Sequence, residues 1–307
     1  MTETQSTTSA PATIQSGAGS ETQRPPDLPL PDRQGNQRAA SSPVSAGLRC
    51  SRPSLAGLPD DRRRWMRLDT DSLERLVPDD LEPGDTTGQE TLRLHLERYE
   101  FASRVTRGGR LLDIACGVGY GTRLITDRNP GVRQAIGVDV SPSTIAYGVE
   151  HYGNRRTEYL VADAMRFRDE TGFDSIVSLE TIEHLPDPAA FVAHLVSLLR
   201  PGGVFVASVP TTPSVDVNPH HLRDFTEASF RRLMEPHGLT EKDHLRQTQP
   251  VSVKSLLTRS ESRMRDMRRN LPAYYLRHPG ALANRLWATV RYGFTNRYIT
   301  ICWQRAP

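Results

Sequence analysis

The sequence predicts an α/β fold, a mostly parallel sheet covered by helices on both faces. Short apolar runs alternate with helix-length segments from residue 88 to about residue 240. Three glycines, Gly117, Gly119 and Gly121, lie between the first such run and the helix after it. With 36% hydrophobic and 24% charged residues over 307 positions, the chain suits one large globular domain or two small ones plus disordered peptide. Collagen, coiled coil and a wholly disordered chain are excluded.

The first element is a helix. Leu92, Leu94, Leu96, Tyr99, Phe101 and Val105 fall in a proline-free stretch from Gly88 that predicts a helix reaching Arg107, ended by Gly108 and Gly109. The run from Gly109 to Ala115 predicts the first strand, and a helix follows at 122–128. A second strand is expected at 134–140, then a helix at 141–152 capped by Ser141 and opened by Pro142. Strands at 158–162 and 175–179, a helix at 188–200 and a strand at 204–209 continue the alternation, which at this spacing means parallel pairing. There the pattern breaks. A helix at 226–237, a strand at about 239–249 and a final strand at 298–303 flank a block, 251–293, where Leu257, Met264, Met267 and Leu271 recur at helical intervals among many Arg. That block reads as an inserted helical cap.

Residues 1–60 are rich in Ser, Thr, Pro, Gly, Gln and Ala with almost no aromatics, too little apolar surface to offset the entropy of ordering, and are expected to form a disordered tail. The expected division continues with an N-terminal helical region at 61–109, a core at 110–250, the cap at 251–293 and the final strand at 294–307. Cys50, Cys116 and Cys302 build no disulfide framework and have no CxxC spacing, which points to a reducing cytoplasm. No apolar run approaches the roughly 20 residues that cross a bilayer, and no basic stretch followed by an apolar core marks a secretion signal.

LLDIACGVGYGT, residues 111–122, puts its glycines where the backbone must turn sharply and approach a ligand closely. A dinucleotide fingerprint would place its third glycine at 122, but Thr122 is there, which argues against NAD. Asp139 ends the second strand some 20 residues beyond the turn, where a carboxylate can accept both hydrogen bonds of a ribose diol. Asp163 ends the third, where it can accept from an adenine amine. No phosphate-binding Lys follows the turn, so a phosphate-poor adenosyl ligand fits better than ATP.

On these residues the chain resembles class I S-adenosylmethionine-dependent methyltransferases. LDIACGVGYG is similar to the first motif of that family, GVDVS to its second-strand acidic motif, VADA to its adenine motif, FDSIVSLETIEHL to its fourth-strand motif and LRPGGVFVASVP to its fifth strand. The likeness covers roughly 88–239. It implies a Rossmann-like class I methyltransferase sheet, mostly parallel with an antiparallel last strand, and a helical insertion before that strand. It also implies S-adenosylmethionine as cofactor, with Asp113, Gly117 and Gly119 around the methionine moiety, Asp139 at the ribose, and Asp163 and Ala164 at the adenine. HLERYEFA, GYGT, SLETIEHL and NPHHLRDFT resemble, more narrowly, bacterial enzymes that modify glycans or small metabolites, with ubiquinone-pathway O-methyltransferases as relatives.

Glu180, Glu183 and His184 fall at i, i+3 and i+4, on one face if the segment turns helically, at the sheet edge where open parallel sheets bind ligands. His221, from the loop after the fifth strand, can complete the cluster; His220 beside it reads as loop decoration, and Asp224 stands where the family pattern has Glu. Three readings stay open. Two carboxylates and two imidazoles can hold Mg²⁺ or another divalent ion, which would lower the pKa of an acceptor hydroxyl and align it. This ExxEH arrangement resembles metal-using relatives among ubiquinone-pathway enzymes and small-RNA 3′-terminal 2′-O-methyltransferases. Without metal, Glu180 touches the cofactor or substrate and His184 alone serves as general base. In the structural reading, Glu183 and His184 simply start a helix. Tyr99 is expected in the core, and His95 and Arg98 at the surface.

The net charge of +3 is too mild to mark a nucleic-acid binder, but it is unevenly spread. Beyond residue 245 stand a dozen Arg and Lys against only Glu261 and Asp266. Arg259, Arg263, Arg265, Arg268 and Arg269 suit a phosphate-bearing acceptor as well as a solvated helical face. Interleaved aromatics of the RNA-binding kind are absent, which argues against nucleic acid. The stripe from Leu257 to Leu271 suits a peripheral membrane contact or packing on the sheet. The expected function is methyl transfer to a hydroxyl of a small-molecule or sugar-containing acceptor, with a small-RNA ribose methyltransferase and a non-catalytic cofactor-binding partner as rivals. The sequence sets no oligomeric state.

Overall fold

A computed structural model of the protein describes residues 76–81, 85–250, 267–268 and 270–307. The expected tail at 1–60, the start of the N-terminal helical region and most of the basic stretch at 251–266 lie outside the described residues. Leu257, Met264, Arg259, Arg263, Arg265 and Arg269 fall there too.

Seven strands form one sheet in the order β3-β2-β1-β4-β5-β7-β6. In chain order they are β1 (Gly109–Ile114), β2 (Val132–Asp139), β3 (Thr157–Val161), β4 (Phe173–Ser178), β5 (Leu199–Pro210), β6 (Leu239–Pro250) and β7 (Thr295–Arg305). The first five pair in parallel, while β7 runs antiparallel to both β5 and β6. The expected class I sheet with an antiparallel last strand is therefore present. Among the described residues the α-helices are α1 (Thr86–Val105), α2 (Tyr120–Arg128), α3 (Pro142–Tyr152), α4 (Pro188–Leu198), α5 (Glu227–Met234), α6 (Leu271–Arg277) and α7 (Pro279–Tyr292).

Local chemistry explains where these helices begin. The Asp85 carboxylate accepts from Gly88 N–H (2.7 Å) to cap α1, Ser141 accepts from Thr144 N–H before Pro142 in α3, and Asp187 accepts from Ala190 N–H (3.0 Å) before Pro188 in α4. Thr226 and Ser229 exchange side-chain and backbone bonds in a capping box at α5. Most ends shift by one to three residues from expectation, and the junction of the fourth helix with the strand after it shifts furthest. The fourth helix stops at Leu198 rather than residue 200, because Pro201 disfavours helical backbone at Arg200. The strand after it starts at Leu199, which pairs with Phe173; the register then shifts so that Ser175 meets Val204.

Successive strand residues point to opposite faces, and each face has its own core. Leu112, Ile114, Val138 and Ile176 pack with Phe191, Val192 and Leu195 of α4 and with Phe230 of α5. Leu111, Val177 and Val206 pack with Tyr99, Phe101 and Ala102 of α1 and Ile125 of α2. Each fully buried Leu, Ile or Phe adds about 1.5–3 kcal/mol, so burial on both faces fixes the strand ends on which the site is built.

The inserted block holds α6 and α7, as a helical cap requires, but with different contacts from those its stripe suggested. Met267 faces the cavity described below, and Arg268 donates to the carbonyls of Asp216 (3.1 Å) and Val215 (3.3 Å) rather than projecting to solvent. No helix among the described residues is long and apolar enough to cross a membrane.

Candidate active site

In the strand order β3-β2-β1-β4-β5 the chain turns outward in opposite directions on either side of β1 and β4, and the loops leaving those two strands open a crevice between them. Among the described residues, the only non-glycines with positive φ follow these two strands: Ala115 (φ +59°) after β1 and Glu180 (φ +49°) after β4. Left-handed backbone at such residues costs roughly 1–3 kcal/mol and persists where the surroundings enforce it, most often at functional sites.

The glycine turn forms one wall. Gly117 (φ +57°) borders the cavity, and a Cβ placed on it would meet nothing within 4 Å. Gly119 (φ +87°) has the opposite environment, since a Cβ there would lie 2.4 Å from the Tyr159 ring. Gly121 admits no Cβ because the Tyr99 ring lies against it, so Tyr99 is in the core as expected and also faces the cavity. Asp139 accepts from Gly117 N–H (3.1 Å) and from Ser141 N–H (2.9 Å), tying the turn to the end of β2. Asp113 sits beneath the turn, 1% exposed, accepting from the Thr122 hydroxyl (2.6 Å), and burial raises its carboxyl to about 7. Asp163 accepts from Met165 N–H (2.8 Å) beyond β3 and is exposed, with Ala164 half-buried next to it. Val140, directly after Asp139, is 66% exposed, an apolar surface beside the acidic pair that the sequence reading passed over.

A different set of residues builds the opposite wall. Glu183, fully buried, and His184 lie on a 3-10 turn, Ile182–His184. Leu222 N–H donates to the Glu183 carbonyl (2.8 Å) and brings the loop after β5 against this turn. The His184 and His221 rings meet edge to face, 4.7 Å between centroids. Ligand atoms of Glu183, His184 and His221 all lie within 4.8 Å of one another. His184 Nδ1 contacts the His220 carbonyl (3.2 Å), which can only accept, so Nδ1 is the donor in this contact. His221 Nδ1 contacts the Ser214 hydroxyl (2.7 Å). Imidazoles oriented by an oxygen at the other ring nitrogen are the usual arrangement for metal ligands, so these three donors fit a divalent cation. Asp224 closes the loop by accepting from Ser214 N–H (2.7 Å) and Val215 N–H (3.0 Å).

Glu180 lies apart from this trio. Its backbone N–H donates to the Ser208 hydroxyl, that hydroxyl donates to its carboxylate (2.6 Å), and Arg98 approaches from α1 (3.9 Å). Arg98 is not at the surface: it is 2% exposed, stacked 4.5 Å over the Tyr298 ring, because its position on α1 continues the buried stripe of Leu94, Phe101 and Ala102. His95 is half-buried, with its Nδ1 against the Tyr120 hydroxyl (2.9 Å). A charged residue at an apolar helical phase was the available signal for Arg98; Tyr298, across β7, left none.

Both walls enclose one cavity of about 450 Å³, within the range of small-molecule sites. Its lining runs from Ala115–Val118 to Glu180, Glu183, His184 and His221. The open space at Gly117 leaves room for a ligand to approach the backbone closely.

Residues 112–207 match the family described as Methyltransferase domain. The chain is 32% identical over 169 residues to a "probable S-adenosylmethionine-dependent methyltransferase" of Mycolicibacterium smegmatis, covering 53% of this chain and 64% of that one. It is 33% identical over 114 residues to a ubiquinone biosynthesis O-methyltransferase of Bradyrhizobium sp., covering 36% of this chain and 44% of that one. The chain thus spans less than two thirds of the length of these relatives. The YcgJ protein of Bacillus subtilis shares the fold at a TM-score of 0.54 and 16% identity, over 69% of this chain and all of that one. Residues 112–207 thus match a methyltransferase domain, and they lie in a sheet whose fold the YcgJ protein shares.

Proposed function

We propose that the protein is an S-adenosylmethionine-dependent methyltransferase that methylates a hydroxyl of a small-molecule or sugar-containing acceptor, assisted by a divalent cation held by Glu183, His184 and His221. The observation that carries this reading is the single cavity shared by the glycine turn and the carboxylate–imidazole trio. Gly117 lines the cavity, with Gly119 in the same turn and Asp139 holding that turn; in this reading Asp139 would meet the ribose, and Asp163, Ala164 and Val140 the adenine, although these four lie outside the cavity's lining. Glu180, set by Ser208 and Arg98, stands between donor and acceptor. A cation held by Glu183, His184 and His221 would supply Lewis acidity that lowers an acceptor hydroxyl's pKa. The acceptor oxygen must lie behind the sulfonium methyl, so the two walls act mainly by alignment, with His184 and His221 at the acceptor end.

The test is label transfer from methyl-labelled S-adenosylmethionine into extract fractions, run in excess chelator and after addition of Mg²⁺ or Mn²⁺. Transfer only with metal is the expected result. Full transfer in chelator overturns the metal and leaves His184 as general base, and binding without any transfer leaves a cofactor-binding partner protein.

A further inference from the structure

Helix α7 turns its apolar side away from the protein. It buries Ala288 and directs Arg285 inward onto Asp216, while Leu282, Leu286 and Val290, four residues apart and so on one face, are 37%, 57% and 89% exposed. Trp287 beside them is 61% exposed, Phe294 just past the helix 58%, and Leu276 on α6 87%. A helix on a water-facing surface carries the reverse pattern. Six of the ten exposed large apolar side chains among the described residues fall in this one stretch, so scattered exposure does not account for it.

The inner side of the hairpin is firmly attached. Asp216, 2% exposed, accepts from the Tyr275 hydroxyl (2.7 Å) and from Arg285 Nε (2.8 Å), and Arg268 N–H donates to the Val217 carbonyl (2.9 Å). The apolar stripe is thus held outward by a buried ion pair.

Charge identifies what the stripe meets. From residue 267 to residue 307 the chain has no Asp or Glu and seven Arg. Arg268, Arg285 and Arg305 are engaged with backbone or Asp216, while Arg277 and Arg291 flank the stripe in exposed positions. A second copy docked through the same face would set these cations against their own images. An anionic bilayer surface suits both components, with phosphate headgroups at the Arg residues and the acyl boundary at Leu286, Trp287 and Val290. We infer that the α6–α7 hairpin seats the protein on anionic phospholipid, α7 lying in the plane of the interface. This inference is independent of the chemistry proposed for the cavity.

The full chain is mixed with phosphatidylcholine vesicles, with and without phosphatidylglycerol, and followed by flotation and Trp emission. Binding and a blue shift are expected with phosphatidylglycerol alone. Leu286→Asn with Val290→Asn should weaken partition at least about tenfold, the share of one buried apolar side chain, with S-adenosylhomocysteine binding unchanged. Trp287→Phe should remove the blue shift while the protein still floats. Equal partition onto pure phosphatidylcholine overturns the anionic assignment. Failure to float overturns the docking itself, whether sedimentation then shows a dimer that the double variant dissolves or a monomer.

Discussion

The wall of the cavity lined by Ala115–Val118 and Tyr120 comes from one continuous turn after β1, whereas the wall formed by Glu183, His184 and His221 is delivered by two segments far apart in the sequence. The first is fixed by strand ends, left-handed glycines and the two N–H groups held by Asp139. The second depends on contacts that join loops: Leu222 to Glu183, Ser214 to His221, Asp224 to Ser214, and Asp216 to the cap. Donor and acceptor chemistry should therefore be separable by mutation, and the acceptor side should feel changes that lie outside the cavity.

The largest effect is expected at the trio. Glu183→Gln and His221→Ala should each lower kcat by about 10³-fold or more while calorimetry finds S-adenosylhomocysteine affinity nearly unchanged. Parallel loss of both would show that the two walls are not independent. Next comes the clamp below the loop. Asp216→Ala leaves Arg285 without its buried partner and should cost about 3–5 kcal/mol in urea denaturation. At temperatures where this variant remains folded, activity should need more Mn²⁺ while cofactor affinity holds; an unchanged Mn²⁺ requirement would detach the cap from the acceptor wall.

Asp113 gives the donor side its own pH signature. Its carboxyl rises from an ordinary 3.8 to about 7 on burial, so the folded protein holds that proton more tightly than the unfolded chain. This contribution to stability is present in full below the unfolded value and is lost as pH rises through about 7, a change of roughly 4 kcal/mol. Asp113→Asn should remove that slope from denaturation curves taken across the interval, and an unaltered slope would contradict the assignment.

A smaller contrast lies within the turn. Gly119→Ala combines a φ of +87° with a Cβ pressed on Tyr159 and should cost about 2–3 kcal/mol of stability. Gly117→Ala carries only left-handed strain, about 1 kcal/mol, because its Cβ enters open cavity, yet it should weaken S-adenosylhomocysteine binding more than it weakens the fold. If both variants lose stability and binding in the same ratio, the cradle is not at Gly117.

The same contrast explains what the sequence made legible. Alternating apolar runs, Ser141–Pro142 and the spacing of glycines are local signals, and the order of strands and helices and the glycine turn follow from them, with ends off by one to five residues. Glu183, His184 and His221 were legible as residue types at a sheet edge, because the topology delivers the ends of parallel strands there. That Glu180 would pair with Ser208 and Arg98 instead of joining the trio was not, since β4, β5 and α1 must first be packed together. Arg98 itself was expected at the surface on the strength of its charge, although its helical phase belongs to the buried stripe. The cap was legible as helical but not in its attachment, because Asp216 and Arg285 are distant in sequence and meet only in the folded chain.

The most direct measurement is a crystal structure with S-adenosylhomocysteine and Mn²⁺ added together, with the metal located by its anomalous signal. The homocysteine sulfur is predicted between the Gly117 wall and Glu180, and the manganese peak among Glu183, His184 and His221. A nucleoside bound away from the glycine turn, or manganese bound only elsewhere, would contradict the shared cavity.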